Sequence, residues 1–247
     1  MTNGKDLRGT WPQALASLIG SVAMILAIRW AFFEPYVIPS GSMIPTLLVH
    51  DHILVNKLAY GVRVPFTSSW LVHFGLPNRG DVVVFKSVED SGVFIVKRVI
   101  GLPGDEIKIV GHGQLVINGK PVARRELSRD EIEAKIKEWP EDTRVEYVER
   151  YEFFDEQIGE VEHIALRLKD PADKEQGPYK VPADSLFMMG DNRDNSSDSR
   201  VWGVLPVERV LGRASSIWMS CEETLPEATQ LCDPKTMRWH RMLKGIR

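Results

Sequence analysis

Residues 14–28, ALASLIGSVAMILAI, contain no charged side chain. Arg29 interrupts the run, and Trp30, Ala31, Phe32 and Phe33 continue it. The stretch 14–33 is therefore close to the ~20 residues that a bilayer requires. Trp11 and Trp30 stand near its two ends, where interfacial aromatic residues belong, and Arg29 can extend its charged tip to the headgroups. A cleaved leader needs small residues where Arg29 and Trp30 stand. The other alternative is a buried core helix; apolar character all round together with the flanking tryptophans favours the membrane. The expectation is one transmembrane helix over 14–33. Lys5 and Arg8 precede it and Glu34 follows it. The positive-inside rule then leaves residues 1–13 in the cytoplasm and everything after residue 35 outside it.

Beyond Pro35 the pattern changes to short apolar runs at 82–85, 93–100, 106–110, 115–117, 147–154 and 163–168. Asn78-Arg79-Gly80-Asp81, Pro103-Gly104-Asp105 and Asn118-Gly119 supply turn chemistry between them. This predicts a mainly β chain. One helix is expected, where Ser128 and Glu131 form a capping box ahead of Ile132 and Ile136 and Pro140 stops the run. It lies in the charged stretch 121–180, read as an α+β lobe inserted into an antiparallel β core made of 35–120 and 181–220. Residues 221–247 form a C-terminal segment. With 43% hydrophobic and 26% charged residues the chain is expected to pack rather than stay disordered. A net charge of −3 without a long Lys/Arg run argues against a nucleic-acid partner.

Cys221 and Cys232 are the only cysteines, and no Cys/His cluster has zinc-ligand spacing, so no metal is expected. Outside the cytoplasm a disulfide is expected to close this short loop, adding roughly 3 kcal/mol by chain entropy. In a reducing compartment the pair reads as two thiols.

Three segments carry candidate chemistry. PSGSMIPTL, residues 39–47, holds small hydroxyl residues on a path fixed by two prolines and a glycine; alone it reads equally as a linker turn. In VFIVKRVIGLPGD, residues 93–105, a lysine sits at the centre of an apolar strand. Alternation puts Lys97 on one face and Arg98 on the other. A buried ammonium tends to lose its proton, which suits a general base at neutral pH. The competing reading is a lysine on an edge strand with its amine in water. The polar loop 189–203 alternates acids and bases, as an ion-pair network or a solvated loop does. Its spacing does not fit an EF-hand, because Ser199 and Leu205 stand where Gly and Glu belong.

Taken in order, PSGSMIPTL, RGDVVVFK, VKRVIGLPGD and GDNRDNSSDSRVWG resemble the boxes of the bacterial type I signal peptidase (leader peptidase) family. The resemblance covers about residues 35–110 and 185–220, and an anchor just before the first box also looks like that family. It implies a mainly β catalytic core and a membrane-bound serine endopeptidase that removes N-terminal signal peptides from exported preproteins. Its Ser–Lys dyad needs no histidine, metal or organic cofactor. Ser42 matches the nucleophile and Lys97 its base. Ser40 matches the hydroxyl that joins the Ser42 N–H in the oxyanion hole, and Ser196 the serine that orients the lysine. Arg98, Asp191, Arg193, Asp198 and Arg200 match the supporting network. Ile38, Met43, Leu47, Ile95 and Val96 are the candidates for shallow pockets that accept small side chains before the cut. The implied partners are secretory preproteins and the lipid bilayer, with the protein-export translocon a further candidate. The implied location is the bacterial inner membrane, single-pass, with the catalytic domain on the periplasmic side.

Three other readings compete. His50-Asp51-His52 offers a histidine base or a metal pair near Ser42, although no GxSxG elbow surrounds Ser42. A Ser–Lys autoprotease fused to a DNA-binding module would need a basic helix-turn-helix where this chain has its apolar segment. An inactive membrane-anchored binding protein would have lost Ser42 or Lys97.

Overall fold

The computed structural model describes residues 11–64, 70–90, 92–170 and 175–247, apart from the side chains of residues 26–31, 63, 142 and 229. Lys5 and Arg8, on which the predicted orientation rests, lie outside the described residues. A helix, Trp11–Ala31, opens the described chain. Leu15, Leu18, Ile19, Val22 and Ile25 are all exposed on it. The predicted span ran to Phe33, but the helix ends at Ala31 and Phe33 starts the strand Phe33–Val37. Pro35 explains this, because its ring disfavours helical backbone at Glu34 and the helix must end upstream. Among the described residues no helix is long and apolar enough to cross a membrane. The expected transmembrane helix is therefore not supported by the described residues.

The core is a curled antiparallel sheet. Its order is Phe33–Val37, Asp51–Asn56, Val210–Ser220, Val82–Lys86, Phe94–Gly101, Ser185–Met189 and Leu205–Pro206, with Lys244–Gly245 also against Val210–Ser220. Both faces are covered. Ile53, Val55, Val84, Ala214 and Ile217 pack on one side, and Val83, Phe85, Val99, Leu186 and Met188 on the other. This two-sided burial is why the run at 82–85 is continuously apolar instead of alternating.

A second sheet joins Gln176–Lys180, Glu106–Val110, Gln114–Ile117 and Lys120–Pro121. The Asn118-Gly119 turn within it takes φ of 53° and 75°, as a two-residue hairpin of this type requires. A third sheet joins Arg124–Glu126, Tyr151–Ile158 and Val161–Leu168. The helix Arg129–Ile136 begins with the Ser128–Glu131 capping box. A further helix, Glu141–Arg150, follows Pro140, so the expected strand at 147–154 begins only at Tyr151. Tyr147 caused the discrepancy. It packs edge-on to Trp139 and stacks on Tyr151, so its apolar character serves a helix face. Cys221 and Cys232 are joined by a disulfide.

Candidate active site

Ser42 lies in a single 3₁₀ turn, Gly41–Met43, directly before Ile44 and Pro45. Lys97 lies mid-strand opposite Val83. The strand presents it to the turn, with Lys97 Nζ hydrogen-bonded to Ser42 Oγ at 2.6 Å. Lys97 is only 4% exposed and Ser42 9%. Burial pushes the Lys97 pKa down to about 8; the negative charges of Asp198 and Asp191 oppose this, and Arg200 adds to it. Ser40 Oγ lies 3.5 Å from Ser42 Oγ.

The polar loop that follows Ser185–Met189 closes over this turn. Asn192 N–H donates to Ser42 O and its side-chain amide to Gly41 O, each at 3.1 Å. A Cβ on residue 190 would sit 2.4 Å from Ser196 Oγ and 2.5 Å from Ser42 O, so only glycine permits this approach. Asp198 is the hub of the loop. It caps the short helix Ser199–Trp202 and accepts from Gly190 N–H, Ser196 Oγ and Arg200. Burial favours its neutral form, but these donors outweigh burial and hold its pKa below the usual carboxylate value. Ser196, expected to orient the lysine, thus donates its hydroxyl to Asp198 Oδ2 at 2.7 Å. A buried carboxylate is the stronger acceptor.

Arg98, on the opposite face of the same strand, is fully buried. It donates to both oxygens of Asp191, at 2.8 and 2.7 Å, and to Gly80 O at 2.7 Å. Burial would raise the Asp191 pKa, but the Arg98 charge, His163 and the bonds from Arg98 and Thr46 hold it down to about 2. Arg193 pairs with Glu156. Between the two ion pairs lies His163, 3.6 Å from Glu156 and 3.7 Å from Asp191, with neither ring nitrogen hydrogen-bonded. Burial, reinforced by Arg98, lowers its pKa to about 4. Glu156, His163, Asn192 and Gly190 were not singled out from the sequence. Asn192 and Gly190 stand inside a flagged string, whereas Glu156 and His163 come from distant strands without a local signal.

A cavity of about 370 Å³ lies over the Ser42–Lys97 pair, between residues 36–43 and 93–97. Of the pocket candidates, Ile38, Met43, Ile95 and Val96 line it. Leu47 does not. It is fully buried in the core beside Ile53 and Val55, because a turn in which Leu47 N–H donates to Met43 O directs it inward. Tyr36 and Phe94, edge-to-face at 5.3 Å, wall the groove instead. The groove is bounded by two strand edges. Among the described residues Phe33–Val37 pairs only with Asp51–Asn56, and Phe94–Gly101 meets Ser185–Met189 only from Arg98 onward. His50 and His52 point elsewhere. Their rings bond to Glu222 O and Gln230 O, at 2.8 and 2.9 Å, which leaves no histidine base beside Ser42 among the described residues.

A serine bonded to a buried, easily deprotonated amine, at the floor of an edge-lined groove, has the parts of a serine hydrolase without a histidine. The family model described as "Signal peptidase, peptidase S26" matches residues 11–219, and the chain belongs to this family. A signal peptidase I of Pseudomonas fluorescens is 40% identical, over 81% of this chain and 69% of its own. One from Pseudomonas aeruginosa is 37% identical, over 80% and 68%. The crystal structure of a signal peptidase I from Enterococcus faecalis V583 is 24% identical, covers 56% of this chain and 97% of that chain, and overlays with a TM-score of 0.34.

Proposed function

We propose that this chain removes signal peptides from exported preproteins, with Ser42 as nucleophile and Lys97 as general base. The observation that carries the reading is the 2.6 Å contact between the Ser42 hydroxyl and a buried amine. Below its pKa the amine is an ammonium and donates to Ser42. Once neutral it presents a lone pair, and the hydroxyl donates to it. Lys97 then takes the Ser42 proton as Oγ attacks the scissile carbonyl, and returns that proton to the leaving amine. Water activated by the same amine releases the acyl group from Ser42. The Ser42 N–H and the Ser40 hydroxyl receive the developing oxyanion, and one such donor is worth about 3–4 kcal/mol of barrier.

The two free strand edges support binding of an extended peptide as an added strand. Backbone hydrogen bonds would supply affinity that tolerates many sequences. Ile38, Met43, Ile95 and Val96 leave shallow apolar space, which selects small side chains by excluding bulk. Arg98, Asp191, Arg193, Asp198 and Arg200 keep the strand and loop rigid around the dyad.

The reading also places the chain at the bacterial inner membrane in single-pass form, with residues 1–13 cytoplasmic and the β domain periplasmic. Support comes from the apolar side chains Leu15, Leu18, Ile19 and Val22, exposed on the helix Trp11–Ala31 and suited to a lipid surface, although no described helix is long and apolar enough to cross one. Held there, the site stays close to signal peptides emerging at the membrane face or from the export translocon. A preprotein cleavage assay in detergent tests the chemistry. Ser42→Ala, Lys97→Ala and Lys97→Arg should all be inactive, the last because a guanidinium keeps its proton. Robust turnover by Lys97→Arg would refute the proposed base.

A further inference from the structure

The His50-Asp51-His52 string and the two cysteines have no part in the chemistry above, yet they meet in one place. Asp51 is fully buried at the end of the segment that carries Ser42. Its backbone closes that segment, since Ile38 N–H donates to Asp51 O at 2.9 Å and His50 N–H to Ile38 O at 2.9 Å. Its carboxylate accepts from Leu48 N–H at 2.8 Å, from Ser220 Oγ at 2.6 Å and from both Nε and Nη2 of Arg241. Arg241, itself 5% exposed, also donates to Thr46 O at 3.1 Å. The hydroxyl of the same Thr46 bonds Asp191. Residues 43–51 are thus gripped from both sides, by Asp191 of the dyad network and by Arg241 of the C-terminal segment. The disulfide-closed ribbon holds the outer side. Glu222 O and Gln230 O engage the rings of His50 and His52, and Cys221 and Cys232 adjoin Ser220 and the His52 ring.

We infer that Asp51 and Arg241 are positioning residues for the nucleophile, acting through Thr46 and the 38–51 segment on the placement of Ser42 Oγ. The inference rests on Ser42 being the nucleophile. An ion pair of this burial cannot be satisfied by water, so its loss must be absorbed by movement of the backbone it holds. Displacement of the attacking oxygen by a fraction of an ångström lowers turnover more than binding, because the 93–97 wall of the groove is on another strand and only the 36–43 wall adjoins the displaced segment.

The test is steady-state kinetics of the full chain in detergent micelles with a preprotein substrate. The kcat is expressed per folded molecule, with the folded fraction read from near-ultraviolet circular dichroism. Asp51→Asn should lower kcat about tenfold with KM within twofold of wild type. The lower limb of its pH profile should stay near pH 8, since neither Asp51 nor Arg241 is among the charges acting on Lys97. Arg241→Lys, which keeps the charge and part of the bonding, should recover most of the rate lost in Arg241→Gln. A kcat per folded molecule equal to wild type in Asp51→Asn and Arg241→Gln, with only the melting temperature lowered, would overturn the inference. Ser42→Ala separates the two failures. If it still cleaves, the nucleophile assignment is wrong; if it is dead while Asp51→Asn matches wild type, only the positioning role is wrong.

Discussion

Lys97 and Arg98 are neighbours on one strand, both buried, and their surroundings treat them in opposite ways. Arg98 meets a carboxylate through two parallel bonds and spends a further donor on Gly80 O. Lys97 meets a hydroxyl, and among the described residues no carboxylate forms an ion pair with it. Removing a cation from water costs several kcal/mol. A bidentate carboxylate offsets that cost, so the Arg98 side remains a fixed pair and Asp191 stays ionised. A hydroxyl offsets little of it, so the Lys97 side gives up its proton more readily. Burial is shared by both sites. What separates a structural cation from a base is whether a carboxylate touches it.

Breaking the unpaired side should have the largest effect on activity. Lys97→Arg restores a permanent charge, and cleavage rate should fall by about 10⁴-fold, the upper range for loss of a general base. Breaking the paired side should act on stability. Asp191→Asn leaves the Arg98 guanidinium buried without its counterion, and urea unfolding should show a loss of about 3–5 kcal/mol. Lys97→Met sharpens the contrast, because it removes the unpaired cation instead of stranding it. The folded pKa of about 8 lies below the unfolded value of 10.5. The unfolded chain therefore binds the extra proton between these pH values. The penalty is complete below pH 8, and the wild type gains stability as pH rises from 8 to 10.5. At pH 7 the inactive Lys97→Met should be the more stable protein by about 3 kcal/mol, and the difference should vanish above pH 10.5. The smallest effect is expected from Asp198→Asn. Asp198 raises the Lys97 pKa and Arg200 lowers it, so removing the acid should move the lower limb of the pH–rate profile to more acidic pH.

The contrast was only half legible in the sequence. A lysine and an arginine side by side in VFIVKRVIG announce two charges that cannot both reach water from one strand, and the motifs on either side supplied Ser42 and Asp191. The choice between them was not legible. It depends on the Asp191 carboxylate reaching Arg98 and not Lys97, a placement that only the folded loop after Ser185–Met189 reveals. The strand positions of the core were read well where alternation or continuous apolarity was strong, as at 82–85 and 106–110. They failed at 147–150, where the spacing of Tyr147, Val148 and Tyr151 fits a helix face as well as a strand. Leu47 was expected to line the groove, but a position close to Ser42 along a turn does not fix the direction of its side chain. For Ser196 residue type marks a hydroxyl, and geometry adds that its proton goes to Asp198.

The amine beside Ser42 gives up its proton near pH 8, well below the usual lysine range, so that part of it is neutral and able to accept the Ser42 proton near neutral pH. Nuclear magnetic resonance titration of lysine side-chain nitrogens in the micelle-solubilised chain measures this directly, with Lys97→Met assigning the signal. One lysine, absent from the variant spectrum, should deprotonate near pH 8. Retention of its proton beyond pH 10 would contradict the account.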